Sequence, residues 1–303
     1  MNWKSEISAA RDRIAGYAQM TPVMESNIPG YPVELKLEHM QHTGSFKARG
    51  AFNTLLSSDV PPAGVVAASG GNHGAAAAYA AQTLGYPAKI FVPELAGPSK
   101  IALIRQTGAD LSVVSGEYAN ALTAAQEHEA TTGAMQIHAY DAPATVAGQG
   151  TCFAEWDAQG LRADTVLVAV GGGGLIAGAL AWFDGVRKVV AVEPETSCAL
   201  NAALCAGEPV DVSVSGIAAN ALGARRIGEI CFELAQGMSS VLVSDDAIAA
   251  AQQALWRAHR ILVEPAGATA LAALTSGAYR PEQGERVGVL VCGANIAPDP
   301  FAG

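Results

Sequence analysis

Lys47, set in the run Gly44-Ser45-Phe46-Lys47-Ala48-Arg49-Gly50-Ala51, is the residue whose surroundings could make a nucleophile. Thr43 and Ser45 are helix-capping residue types and residues 48–56 read as helix, which predicts Lys47 in a first helical turn. There the positive end of the helix dipole disfavours an ammonium. Partial burial beside Phe46 would add to this and favour a neutral, nucleophilic amine. Taken alone, the same pattern also describes a surface lysine on an amphipathic helix. Two glycine-rich junctions widen the picture: Ser69-Gly70-Gly71-Asn72-His73-Gly74 and Gly171-Gly172-Gly173-Gly174. Each follows a short Val-rich run and precedes a helical pattern, so each exposes backbone N–H groups at a helix N-terminus, where anions bind. Four consecutive glycines cost conformational entropy, and close approach of backbone to a phosphate is the best reason for them. Neither junction is GxxxxGK[ST], and neither is a good GxGxxG with an acidic ribose partner downstream. A packing turn is the alternative for each.

These residues must be positioned by a chain of 303 residues that is 50% hydrophobic and 15% charged, with net charge −10. That size fits two domains, and the acidic balance argues against nucleic-acid and anionic-membrane partners. The five cysteines (Cys152, Cys198, Cys205, Cys231, Cys292) are scattered without a CxxC pair, which suits a reducing cytoplasm better than a disulfide framework or zinc site. The N-terminus lacks an apolar signal core. The apolar run 166–183 raises the question of a membrane span, but the tetraglycine splits it into strand, loop and helix. Helices are expected at 5–18, 75–84, 98–106, 117–130, 145–157, 175–182, 196–203, 245–259 and 266–274. Strands are expected at 33–38 (half-exposed, from its period-two alternation), 65–68, 89–92, 111–114, 135–138, 166–170, 188–193, 241–243 and 287–291. Alternation of this kind predicts an α/β protein with mostly parallel sheets covered by helices.

An activated lysine, one anion site for a phosphate and a second for a carboxylate together suggest a pyridoxal-phosphate enzyme acting on an amino acid. With Ala147-Gly148-Gln149-Gly150-Thr151 and Cys292-Gly293-Ala294-Asn295 added to the stretches above, the sequence resembles the fold type II pyridoxal-phosphate enzymes. It is most similar to their serine/threonine dehydratase and serine racemase branch, in order over nearly the whole chain. The resemblance implies a tryptophan synthase β-like fold of two interleaved domains, each an open, mostly parallel twisted sheet. Residues 1–61 plus 141–303 would form the large cofactor-binding domain and 62–140 a small mobile domain that closes on substrate. It implies a cytoplasmic homodimer, and no regulatory domain is expected.

By matching position, Lys47 would hold the cofactor as a Schiff base and later move the Cα proton. Phe46 would pack on the pyridine ring, Asn72 would hydrogen-bond its 3′-oxygen, and Gly216 would line the ring. Gly171, Gly172, Gly173, Gly174 and Leu175 would cradle the phosphate. Ser69, Gly70, Asn72 and His73 form the substrate-binding loop that would hold the carboxylate. Cys292 stands where the family places a neutral residue beside the pyridine nitrogen. A thiol cannot stabilise a protonated ring as an aspartate would, which favours prompt loss of a β-substituent over transamination. On the residues alone, Cys292 is equally a small core residue.

Three departures qualify the carry-over. Gly70 replaces the serine with which racemases protonate the face opposite the lysine, which disfavours racemisation. Glu193 matches the first carboxylate of the family's divalent-cation site, but Ser197 and Ala199 follow where a second is expected. This puts a cation in doubt and leaves a structural role for Glu193 equally open. Tyr140 replaces a small polar residue near the substrate, so side-chain preference could have shifted. Glu264, ahead of Pro265, is expected as a helix N-terminal carboxylate, and His39, His42, His128, His138 and His259 as structural. The expected reaction is β-elimination of a 3-hydroxy amino acid such as L-threonine or L-serine, giving a 2-oxo acid and ammonia. Amino acid racemisation, or dehydration of a bulkier 3-hydroxy amino acid, is the alternative. A non-catalytic small-anion or nucleotide-binding protein would leave Phe46-Lys47 and Asn72-His73 unexplained.

Overall fold

The computed structural model describes residues 1–28, 30–96, 98–116 and 118–296. Its strands assemble into two sheets. The larger runs, edge to edge, Val23–Ser26, Val33–Lys36, Val287–Leu290, Thr165–Ala169, Lys188–Pro194 and Ser240–Val243. Among its described strands, only the edge pair Val23–Ser26 with Val33–Lys36 is antiparallel. The smaller is fully parallel, in the order Asp110–Val114, Ala88–Pro93, Val65–Ala68, Met135–Gln136. Strands 65–136 therefore form a sheet of their own, inserted between the first two strands of the larger sheet and its remainder. Both sheets are covered by helices: Pro265–Thr275 packs across strands 165–169, 188–194, 240–243 and 287–290, and Tyr118–Thr132 covers strands 65–68 and 88–93. The helix Lys47–Leu56 lies between the layers, against both Asn72–Leu84 and Pro143–Ala158.

Small residues make that central crossing close. A Cβ on Gly148 would sit 2.6 Å from the Cα of Gly50, and one on Gly178 would sit 2.6 Å from the amide nitrogen of Gly150. The Gly148-Gln149-Gly150 motif is thus a helix-packing device that seats Pro143–Ala158 against its neighbours on both sides.

Several expectations need correction. The strand at 33–38 is shorter and not half-exposed: all four residues Val33–Lys36 are buried. Its polar positions are paired rather than solvated, Glu34 accepting from the indole of Trp156 and Lys36 donating to Glu155, Gln159 and the carbonyl of Thr21. The first helix spans Trp3–Arg13 and stops short of 18, while the edge strand Val23–Ser26 and the helices Ala219–Leu222 and Glu229–Leu234 had no sequence signal. The helix expected at 196–203 is shifted to Ala199–Ala206. Glu117, expected to start a helix, lies outside the described residues; that helix spans Tyr118–Thr132.

Arg49, in the first turn of the lysine helix, is only 2% exposed, yet it is fully paired. Its Nε and Nη2 donate to the two oxygens of Glu38 at 2.8 and 2.6 Å, and Nη2 also donates to Glu155 at 2.9 Å. Glu155 accepts from Lys36, and Thr21 donates to Glu38. Burial pushes the Glu38 carboxyl up, but the Arg49 guanidinium outweighs it and holds the group below its usual range. Removing one partner of such a buried pair costs roughly 3–5 kcal/mol. Arg49→Met should therefore lower the urea unfolding free energy by about that amount at unchanged m-value. A loss below about 1 kcal/mol would show that surface-like pairing, not this network, seats the helix.

Candidate active site

The lysine helix begins at Lys47 itself, with Phe46 in the cap position and no side-chain capping bond. The expected caps do not form: the hydroxyls of Thr43 and Ser45 are buried without a partner, and Thr43 takes φ 60. The chain enters the helix pinned in another way, by backbone pairing with the segment that follows strand Val287–Leu290. Ser45 bridges Gly293, the Phe46 amide donates to the Cys292 carbonyl, and the Ala294 amide donates to Gly44.

This pinning directs Lys47 into a cavity lined by Phe46, Asn72, Tyr140, Gly171–Leu175 and Cys292, among others. These residues all follow strands of the two sheets at their carboxyl ends or open the lysine helix, the usual crevice of a parallel sheet. Among the described residues the Lys47 ammonium has no carboxylate partner: its Nζ donates to the carbonyl of Ala139 at 2.8 Å and lies 5.2 Å from the Phe46 ring centre. Burial lowers its pKa from 10.5 to about 8, against a smaller opposing pull from Cys292. The Cys292 thiol donates to the Ala266 carbonyl, and burial pushes its pKa well above the usual thiol range, so it stays neutral.

The tetraglycine is a cradle that side chains would fill. Gly173 has φ 95 and opens the helix Gly174–Phe183 with no side chain capping it. A Cβ on Gly171 would lie 2.8 Å from Leu222 Cα, one on Gly172 2.3 Å from the Tyr140 ring, and one on Gly174 2.7 Å from the Tyr140 carbonyl oxygen. Backbone N–H groups at a helix N-terminus, kept bare by glycine and facing a cavity with a buried lysine, fit a phosphorylated aldehyde.

The second junction divides. Asn72 lines the cavity and opens the helix Asn72–Leu84. Ser69 turns its hydroxyl back to accept from the Gly71 amide. His73 is buried, and burial with the nearby Lys47 lowers its pKa to about 3. Its Nε2 is 2.9 Å from the Ile137 carbonyl, so the one N–H of the neutral ring points there. That leaves no N–H on His73 for a carboxylate, against expectation; with the Ser69 and Gly71 amides given to Phe91 and to the Ser69 hydroxyl, the Ser69 O–H, the Gly70 N–H and the Asn72 amide are the loop's donors. A Cβ on Gly70 would lie 2.3 Å from Ala96 Cβ and 2.7 Å from a Val92 methyl, so a side chain there meets the adjoining strand.

Other expected members lie elsewhere. Gly216 is exposed and does not line the cavity; its φ of 86 and its contacts with Thr196 and Asp245 make it a turn glycine. The Glu193 carboxylate accepts from the amides of Leu200 and Asn201 and from the Ser240 hydroxyl, which holds the helix Ala199–Ala206 by its N-terminus. Among the described residues no group of three or more His, Cys, Asp or Glu side chains could hold a metal. None of their helices is long and apolar enough to cross a membrane. Sequence reasoning assigned no site role to Glu264 or to Asn295, the last residue of the Cys292–Asn295 motif, yet both hydrogen-bond to Asn72. Only the N-terminal position of Glu264 had marked it, for a capping role that its side chain does not perform.

The chain matches the family profile described as pyridoxal-phosphate dependent enzyme over residues 14–293. It is 37% identical to phenylserine dehydratase of Ralstonia pickettii, over 98% of this chain and 94% of that one. Among solved structures, it is similar to a threonine deaminase of T.th., with TM-score 0.89, 34% identity and coverage of 98% and 99% of the two chains. Maize serine racemase gives a TM-score of 0.91 at 30% identity, covering 97% of this chain and 93% of that one. Taken with the buried lysine and its bare glycine cradle, these matches establish that the chain belongs to the family of pyridoxal-phosphate-dependent enzymes with the fold type II architecture.

Proposed function

We propose that this enzyme carries out β-elimination on a 3-hydroxy amino acid such as L-threonine or L-serine, releasing a 2-oxo acid and ammonia. The observation that carries the reading is Lys47, a buried amine with a carbonyl as its hydrogen-bond partner and a pKa near 8, facing the glycine cradle. The bound cofactor supplies an electron sink for the bond broken at Cα. Gly171–Leu175 would hold its phosphate by backbone N–H groups, Phe46 would pack on its ring, and Cys292 would meet its ring nitrogen as a neutral thiol. The thiol proton is already directed to Ala266, so the ring gains no charge from this residue. Lys47 removes the Cα proton, the Cβ–O bond breaks, and the hydroxyl takes up that proton and leaves as water. The released enamine tautomerises and takes up one water to give the 2-oxo acid and ammonia.

Elimination is favoured over racemisation because Gly70 places no acid on the loop opposite Lys47, and the Val92 and Ala96 side chains occupy the space that a side chain there would need. A bulkier substrate is a second reading. The cavity lining combines two aromatic residues, Tyr140 and Phe46, with the small Ala221 and Ala266, and phenylserine dehydratase is a relative of high coverage.

Four measurements test these assignments. Lys47→Ala should lower 2-oxo acid release at least about a thousand-fold, the scale of a lost general base; turnover within tenfold of the parent would remove Lys47 from the role. In cofactor-free protein, competitive acylation of Lys47 read by mass spectrometry should titrate near pH 8, not 10.5. Because the unfolded chain keeps that proton up to about 10.5, stability should rise with pH between 8 and 10.5, and Lys47→Met should flatten the rise; a midpoint above 10 would refute the depressed pKa. A panel of serine, threonine and phenylserine stereoisomers, scored for 2-oxo acid and for chirality of recovered substrate, decides the substrate. Inverted substrate without 2-oxo acid would make the enzyme a racemase.

A further inference from the structure

Among the described residues, Asn72 is the only side chain of the loop Ser69–Gly74 that lines the cavity, and two residues far away in sequence determine which way its amide faces. Asn295 Nδ2 donates to the Thr43 carbonyl at 2.8 Å and to Asn72 Oδ1 at 2.7 Å. A flipped Asn295 would set its carbonyl against two acceptors, so its orientation is fixed. Asn72 Oδ1 is therefore engaged as an acceptor. One N–H of Asn72 Nδ2 goes to Glu264 Oε1 at 2.5 Å. The second N–H is what Asn72 offers the cavity, so the facing ligand atom must be an acceptor.

The local sequence is built to allow this. Glu264 is 2% exposed and occupies the cap position of the helix Pro265–Thr275, yet its side chain makes no capping bond. It reaches instead across the junction between the two sheets, from the end of the larger to the helix that follows strand Val65–Ala68. A Cβ on Gly293 would lie 2.1 Å from Glu264 Oε1, and one on Gly44 would lie 2.7 Å from Asn295 Oδ1. Two glycines thus leave room for two side chains that converge on one amide.

We propose that Glu264 and Asn295 are positioning residues that hold Asn72 as a one-way hydrogen-bond donor to the phenolic oxygen of the cofactor. The relay Thr43–Asn295–Asn72–Glu264 orders the donor before the ligand arrives, which lowers the entropic cost of binding. It also joins the two sheets through the residue that touches the ligand. The inference rests on the reading of the cavity as the pyridoxal-phosphate site.

Two readouts test it: the dissociation constant of pyridoxal phosphate from the cofactor-free protein, and the position of the visible absorption band of the bound cofactor. Glu264→Ala should weaken binding about tenfold and shift the band, because Asn72 can then rotate. Glu264→Gln, which keeps an acceptor oxygen, should stay within about twofold of the parent with the band unchanged. Asn295→Ala tests the opposite end of the relay and should reproduce the Glu264→Ala shift, including where Glu264→Ala fails to fold. Parent-like values for both alanine variants would overturn the proposal, and so would a Gln variant that behaves like Ala. A parent protein that binds no pyridoxal phosphate would instead overturn the cofactor reading, and this inference with it.

Discussion

The charge pairing around Arg49 is the constraint from which the site follows. Two cations, Lys36 and Arg49, and two carboxylates, Glu38 and Glu155, meet in a largely buried region where only Glu155 among the four reaches solvent, at 15% exposure. Ions in such a place are tolerable only when charges cancel and every donor and acceptor is met. Here they cancel, and Thr21, Thr151, Gln159 and two backbone carbonyls take up the remaining hydrogen bonds. The network joins four pieces of chain: the segment before the first strand, the end of strand Val33–Lys36, the lysine helix and the helix Pro143–Ala158. Since Arg49 follows Lys47 by two residues, fixing the guanidinium fixes the axial position of the helix and hence the origin of the Lys47 side chain.

A few ångströms of chain separate a compensated cation from an uncompensated one. Arg49 has carboxylates; Lys47 has a carbonyl and an aromatic ring. The first arrangement makes a charge permanent, and the second makes it dispensable, because a buried amine without a counter-ion loses its proton more readily. The same helix therefore carries one residue that holds the fold and one that can do chemistry, and their roles differ by surroundings rather than by position.

The parallel-sheet architecture, the lysine helix and the tetraglycine cradle were legible because each has a local signature: alternation of strand and helix patterns, a capping-like start, a run of bare backbone. What escaped reading depends on long-range contacts. The burial of Glu34 and Lys36 could not be inferred from a period-two pattern, since Trp156 and Glu155 lie more than a hundred residues away. The missing hydroxyl caps at Thr43 and Ser45 have the same origin, because backbone pairing with Cys292–Ala294 sets the helix start instead. Gly216 resembled a ring-facing glycine, but its environment is made by Thr196 and Asp245, which sequence order does not reveal. The Gly148–Gly150 pair stood among the motifs of the site and proves to be a helix crossing, a distinction only the packing partner can make.

The groups around the cavity share one property: burial disfavours their charged forms. Cys292 retains its proton, His73 remains an uncharged imidazole with its N–H turned to Ile137, and Lys47 sheds its proton near pH 8. Among the described residues an anionic ligand then meets no fixed full cation apart from Lys47 itself. It must be held by backbone N–H dipoles at the two helix N-termini and by the Asn72 amide. Dipoles of this kind recognise a phosphate or carboxylate without forming a salt bridge that would compete for the lysine. If a permanent cation lined the cradle, its field would depress the amine further but would also tie up the phosphate in a paired, strongly desolvated complex. Neutral walls with oriented N–H groups leave Lys47, among the described residues, as the one cavity group whose charge can change during turnover. That is what a residue that must both carry and return a proton requires.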